Sequence, residues 1–310
     1  MRRRLIADTA LLVVVAIWGG TFVMVKEAVS SFPVFAFLFI RFSLATLTLL
    51  PLMPWLERNV PVFRPRKNEG GYRAFWAGGV LGLALVAGYS FQTFGLRYTT
   101  PAKAGFITGL SVVIVPVLSA LVTRRSPERS IWWGVLLATV GLGMLSLNSD
   151  LRPQLGDVLV FFCAISFALH ILITGHLAPG YPPLRLTVGQ LAMTAVVSGV
   201  LSTLLEWPWS SMGRQMLLAA VFTGLLASTF AFTVQTVAQR FTTPSHTALI
   251  FSMEPVFAAI FSFLLAAEPI TTRVLVGGAF IVAGMFIAEL GGMLFSRSRE
   301  RRLQAQQEGG

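Results

Sequence analysis

Two charged side chains, Arg41 and Glu254, fall deep inside apolar stretches of this 310-residue chain. An ionisable group at membrane depth is costly, and it usually marks a ligand site, a relay or a buried pair. Counted along helices, Arg41 lies roughly 12 Å below one face of an apolar layer and Glu254 roughly 14 Å above the other. The two heights nearly match, so a structural ion pair between them is expected. The alternative is that Glu254 faces a cavity, where it would bind a substrate amine or carry a proton.

Neutral polar side chains in the same stretches extend the candidate set. Gln92, Gln190 and Gln235 suit recognition of a zwitterion, or hydrogen bonds between helices worth about 1 kcal/mol each. Trp18, Thr21, Tyr89, Thr108, Ser111, His170 and Ser252 complete the set of cavity candidates, and each alone is as compatible with packing. His170 could titrate near neutrality. Pro116 and Pro255 each remove a backbone donor inside an apolar helix and should free the carbonyls of Val112 and Phe251. Such a kink is tolerated only against protein or a wet cavity. These prolines are expected to bound that cavity, or to be static bends.

This inventory contains no catalytic cluster. Two isolated charges and one histidine do not supply convergent acid, base and nucleophile. The single cysteine, Cys163, lies in an apolar run, so neither a disulfide framework nor a metal site is implied. Neither GxxxxGK[ST] nor HExxH occurs, so no cofactor and no ATP-driven chemistry is expected.

The elements that must position these side chains are membrane-spanning. The chain is 55% hydrophobic and 12% charged, with a mean hydropathy of +0.74, against about 25% charge in soluble domains. Ten stretches satisfy the roughly 20-residue requirement for a spanning helix: 6–25, 33–52, 74–96, 102–123, 131–147, 156–175, 184–205, 214–236, 245–266 and 273–295. Arg2, Arg3 and Arg4 before the first stretch resemble a signal peptide. An uncleaved helix is expected instead, because Ala16-Ile17 is echoed by Ala164-Ile165 in the sixth stretch. With the N-terminus cytoplasmic, 17 of the 24 Lys and Arg residues fall on the inner side, six on the outer side, and Arg41 within a span. Both termini are therefore expected in the cytoplasm. The basic residues are spread between apolar runs, so the net charge of +11 points to topology and a lipid bilayer, not to nucleic acid.

The chain also repeats itself. Residues 92–101, QTFGLRYTTP, return 143 positions later as QTVAQRFTTP at 235–244, with six identities and an aromatic pair. The register continues through Ser119/Ser262, Gly134/Gly277 and Gly141/Gly284. Each copy holds five spans, an odd number, so the second copy must be inverted. The expected fold is an all-α membrane protein: ten transmembrane helices as two inverted five-helix repeats around a central cavity. The repeats occupy residues 1–150 and 151–296, followed by a basic cytoplasmic tail, 297–310. Thr100-Pro101 and Thr243-Pro244 read as N-caps with proline in the first turn. Gly134, Ala138 and Gly141, like Gly277 and Gly284, give close-packing faces that could support the fold or meet a second copy in a homodimer. Inverted repeats mark secondary transporters, with a small-molecule site between the copies. A membrane enzyme would need a catalytic cluster, and a channel would need rings of like groups.

Trp18-Gly-Gly-Thr21 with Lys26 and Arg41, and Met253-Glu-Pro-Val-Phe257 with Glu268, resemble EamA-type members of the drug/metabolite transporter superfamily. The glycine-rich fifth and tenth spans match as well, and the resemblance runs from about residue 11 to 290. It departs at Pro269, where the family more often has a polar residue. The resemblance implies an inner-membrane transporter exporting small metabolites such as amino acids. It places the first, third, fourth, sixth, eighth and ninth spans around the cavity, with Trp18, Gln92, Ser111, Gln235 and Glu254 facing it.

Overall fold

The computed structural model describes residues 2–66, 71–124, 129–146, 154–242 and 244–287. The expected repeat boundary near residue 150, Thr243 and the 297–310 tail lie outside the described residues. Among the described residues the chain is helical, without strands; seven helices are long and apolar enough to cross a membrane, and shorter apolar helices in the expected fifth, ninth and tenth stretches fit a ten-helix fold. They are α1 (Arg2–Ser31), α2 (Val34–Asn59), α3 (Arg73–Leu96), α4 with α5 (Pro101–Gly109, Ser111–Thr123), α6 (Arg129–Ser146), α7 (Leu155–Leu177) and α8 (Pro183–Leu205). The eighth span joins α9 (Arg214–Phe222), a π-helical segment (Thr223–Phe230) and α10 (Ala231–Ala238). The ninth joins α11 (Pro244–Phe251) to α12 (Glu254–Ala266), and the tenth is α13 (Thr272–Ile287).

Caps set the helix ends. Thr100 Oγ1 accepts from Lys103 N at 3.3 Å with Pro101 opening α4, as the sequence predicts. The start of α2 has a distant cap: the Glu206 carboxylate, at the end of α8, accepts from Phe35 N and Ala36 N at 3.1 and 2.9 Å. At the other end of the same pair, Arg185 at the start of α8 makes a two-pronged bridge to Glu57 near the end of α2, at 2.9 and 3.0 Å. Thus α2 and α8 run antiparallel and are pinned at both ends.

Small residues set the helix spacing. A Cβ on Gly78 of α3 would sit 2.3 Å from the Leu186 carbonyl oxygen of α8, and one on Gly189 equally close to that of Phe75. In the same way Gly141 of α6 meets the Gly277 carbonyl at 2.4 Å, and Gly284 of α13 meets that of Gly134 at 2.6 Å. Gly141, Gly277, Gly284 and Gly134 thus serve the packing of α6 on α13, the fold-supporting role expected of these faces. Large apolar side chains such as Leu47, Trp76, Val122 and Leu204 stay exposed around the bundle, the surface that lipid covers.

The interruptions differ from the proline expectation. Helix α5 runs through Pro116 from Ser111 to Thr123, and the break between α4 and α5 falls at Leu110. In the ninth span the break covers Ser252 and Met253, and Pro255 sits in the first turn of α12. A proline is tolerated in a helix's first turn, where its missing donor has no intrahelical partner. The second half-helices thus begin at Ser111 and Glu254, 143 positions apart, the repeat offset itself. They also end alike, on left-handed residues at Arg124 (φ 52°) and Ala267 (φ 48°).

Candidate functional site

A cavity of about 40 Å³ lies at the centre of the bundle. Its wall takes residues from α1, α3, α4, α5, α7, α10, α11 and α12, which belong to the first, third, fourth, sixth, eighth and ninth spans. Nine of the sequence candidates line it: Trp18, Thr21, Tyr89, Gln92, Thr108, Ser111, His170, Gln235 and Glu254. The rest of the wall is apolar and largely aromatic, including Phe22, Phe167, Phe232 and Phe251.

Arg41 is not in that wall, and the expected ion pair with Glu254 is not formed. The α2 helix packs against α3, α8 and the π segment, which leaves Arg41 on the far side of Tyr89. Its guanidinium donates to Ser228 Oγ at 2.9 Å and Tyr89 Oη at 3.3 Å. It also lies 4.4 Å from the Tyr89 ring centre and 5.1 Å from that of Phe42. Height along a helix predicted the pairing, but height carries no information on which way around the bundle a side chain faces. The π segment supplies Ser228, and a widened turn of this kind frees backbone acceptors. Trp18 Nε1 donates to a carbonyl of this segment, that of Ala227, at 2.9 Å. Trp18 is further wedged between Phe232 and Phe251, at ring-centre distances of 5.6 and 5.1 Å.

Gln190 and Ser252 also lie outside the wall, fully buried. Gln190 acts one layer back: its Oε1 is 2.7 Å from His170 Nε2, and its amide donates to Thr236 Oγ1 at 3.4 Å. Because Oε1 only accepts, the pairing places a His170 proton on Nε2. Gln92 donates to Thr108 Oγ1 at 3.3 Å. Gln235 donates to Gln239 Oε1 at 3.2 Å, and Gln239 in turn donates to the Ile171 carbonyl. Sequence reading passed over Gln239, whose repeat partner is Leu96.

Among the described residues, two acceptors in the wall are left without a donor. The buried Gln235 Oε1 has no hydrogen-bond partner among the described residues. The Glu254 carboxylate has neither a hydrogen bond nor an ion pair among them, and it opens the second half-helix of the ninth span. A carboxylate in a helix's first turn is favoured by the free backbone donors there. Among the described residues no Lys or Arg lines this cavity.

One end of the bundle is tied over the cavity. Lys26 Nζ donates to the Thr99 carbonyl at 2.6 Å, Thr99 Oγ1 donates to Asp157 Oδ1, and Lys103 approaches Asp157 at 3.8 Å. Arg97 donates to the Val29 and Phe32 carbonyls at 3.0 and 2.9 Å, and Glu268 joins Ala102 N to the Ser262 hydroxyl.

Comparison with known proteins fits this architecture. The EamA-like transporter family matches the chain twice, over residues 5–147 and 154–290. The chain belongs to the EamA-like transporter family. It is 35% identical over 280 residues to an uncharacterized transporter of Archaeoglobus fulgidus, covering 90% of this chain and 84% of that one. It is also 25% identical to the uncharacterized transporter YetK of Bacillus subtilis, covering 93% and 88% of the two chains. A solved crystal structure shares the fold, with a TM-score of 0.67 at 17% identity over 92% of this chain and 97% of that one. As an EamA-like transporter it is a multi-pass membrane protein. Among the motifs that suggested the family, Trp18 and Glu254 reach the central cavity, Lys26 and Glu268 tie the closed end, and Arg41 supports Tyr89.

Proposed function

We propose that this EamA-like transporter is a secondary exporter of small neutral or zwitterionic metabolites, amino acids foremost, working by alternating access in the inner membrane. The observation that carries the substrate class is the mismatch in the central cavity. Among the described residues Gln235 Oε1 has no donor, the Glu254 carboxylate is in no hydrogen bond or ion pair, aromatic side chains line the same wall, and no Lys or Arg does. A substrate ammonium satisfies both acceptors and gains from the rings. Its other polar end is suited to Ser111 at the start of α5, where a half-helix N-terminus favours negative charge.

Alternating access draws support from the arrangement of helix ends. The start of α7 meets the ends of α1 and α3, whereas the start of α1 lies with the end of α10 at the opposite end. Opposite directions for the first helices of the two copies are what inversion requires, with domains at 1–150 and 151–296. The arginine distribution favours both termini in the cytoplasm and thus the Lys26–Asp157 end outside. At about 40 Å³ the cavity has room for only about three waters, so a substrate must widen it.

Counterflow in proteoliposomes tests this reading. Amino acids loaded inside should accelerate uptake of the same labelled amino acid, with saturation, and deaminated analogues should not. A panel of amino acids without any counterflow would overturn it.

A further inference from the structure

At the Lys26–Asp157 end of the bundle, a cleft of about 590 Å³ opens beside the tie. It lies between the end of α1, the end of α3 and the chain that follows α8. That volume falls within the roughly 300–1,000 Å³ of small-molecule sites, and no lining residue is shared with the central cavity. Charges of both signs line the cleft, those of Lys26, Arg97 and Glu206, with serine hydroxyls such as that of Ser30 between them. Its apolar part is confined to Phe32, Pro33 and Leu96.

Backbone groups hold each of these charges without using it up. Lys26 Nζ gives one of its three donors to the Thr99 carbonyl at 2.6 Å. Arg97 gives two of its five, to the carbonyls of Val29 and Phe32 at 3.0 and 2.9 Å. Glu206 accepts one α2 backbone donor on each oxygen, from Phe35 N and Ala36 N, which leaves lone pairs on both. A carbonyl orients a cation and leaves its charge in place. The cleft thus presents two oriented cations and an oriented carboxylate around one small-molecule volume.

We propose that this cleft is a second station for the transported zwitterion, its carboxylate on Lys26 and Arg97 and its ammonium on Glu206. The identity of the ligand rests on the transport of zwitterions proposed for the central cavity; the place rests on the cleft itself. A plain anion would meet the Glu206 carboxylate, and a plain amine would meet two cations. A zwitterion satisfies both signs, through charge-assisted hydrogen bonds. A zwitterionic lipid headgroup shares that chemistry, but the short apolar wall offers little to its acyl chains. Lys26 also belongs to the tie, so the station stands where a solute passes once the tie parts.

Binding here can be read without transport. Ser30 is exposed and Cys163 buried, so purified S30C/C163A protein in detergent carries one accessible thiol in the cleft. It is labelled with a neutral methanethiosulfonate in the presence of alanine, of propionate, which lacks the ammonium, or of ethylamine, which lacks the carboxylate. Alanine should halve the labelling rate at a concentration at least about ten-fold below either, the scale of one lost charged contact. K26M/R97Q in this background should abolish protection by alanine. E206Q keeps an acceptor for the α2 backbone donors and removes the charge, so it should bring alanine level with propionate. That variant decides the matter if K26M/R97Q fails to fold. E254Q should leave protection unchanged, so counterflow that fails while protection stands counts against the central site alone. Absence of protection by alanine overturns the proposal, and so does equal protection by alanine and propionate, which would mark a plain anion site. Protection by added phosphatidylethanolamine that alanine cannot displace overturns it as well, in favour of a lipid headgroup.

Discussion

Glu254 and Arg41 divide the labour that sequence alone assigned to one ion pair. Glu254 borders the cavity without a partner among the described residues, so removing its charge should cost transport and spare the fold. Glu254→Gln should lower kcat/KM for amine-bearing substrates by about ten-fold or more, the scale of a lost charge-assisted hydrogen bond. Thermal unfolding should be unchanged. Counterflow rates that match the wild type would contradict this role. Arg41 is a buried cation that donates to two hydroxyls and lies against two rings. Desolvating a charge costs several kcal/mol, and neutral partners return only part of it, so a hydrophobic replacement of similar shape is often stabilising. Arg41→Met should raise the unfolding temperature, corresponding to about 1–4 kcal/mol, while weakening transport through a less constrained Tyr89. A fall in unfolding temperature would show that the stacking and hydrogen bonds outweigh desolvation.

Spans, their number and the candidate polar set were legible from apolar runs and from the 143-residue echo. The breaks within the spans were not. Pro116 advertises a kink, yet the chain breaks at Leu110, and the π segment at Thr223–Phe230 carries no residue pattern that announces it. The aromatic wall was equally hidden, because a phenylalanine facing a cavity and one facing lipid look alike in a sequence. Phe167 and Phe232 became visible only once α7 and α10 were set beside α3. The left-handed ends of α5 and α12 were likewise unannounced, since neither Arg124 nor Ala267 is glycine. That offers a test of the element itself. A left-handed conformation costs an L-residue roughly 1–2 kcal/mol that glycine avoids. Ala267→Gly should therefore raise thermal stability by up to that amount, and an unchanged or lowered unfolding temperature would refute it. In the opposite direction, Gly141→Leu would drive a side chain into the Gly277 carbonyl. It should separate α6 from α13 and reduce the yield of folded protein, measured by size-exclusion chromatography in detergent.

At the scale of the whole molecule, alternating access as proposed would make the tie among Lys26, Thr99, Lys103 and Asp157 the contact that sets which side reaches the cavity. It joins α1, the α3–α4 hairpin and α7, so elements from both halves of the chain must separate there before a solute can pass. Asp157 is the hub, because it alone takes both the Thr99 hydroxyl and the Lys103 ammonium. Asp157→Asn keeps the shape, removes the charge and leaves Lys103 without its anion. The equilibrium should then shift toward states open at this end, by a factor set by the lost bonds: about ten-fold for roughly 1.4 kcal/mol. The readout is a single cysteine at Ser111, in a background where buried Cys163 is replaced by alanine. A membrane-impermeant maleimide applied from the Lys26 side should label it about ten-fold faster when Asp157 is asparagine. Labelling from the Arg240 side should slow in parallel, because a two-state equilibrium gives to one side what it takes from the other. Faster labelling from both sides at once would mean that Asp157 holds the bundle together and does not set which way it opens.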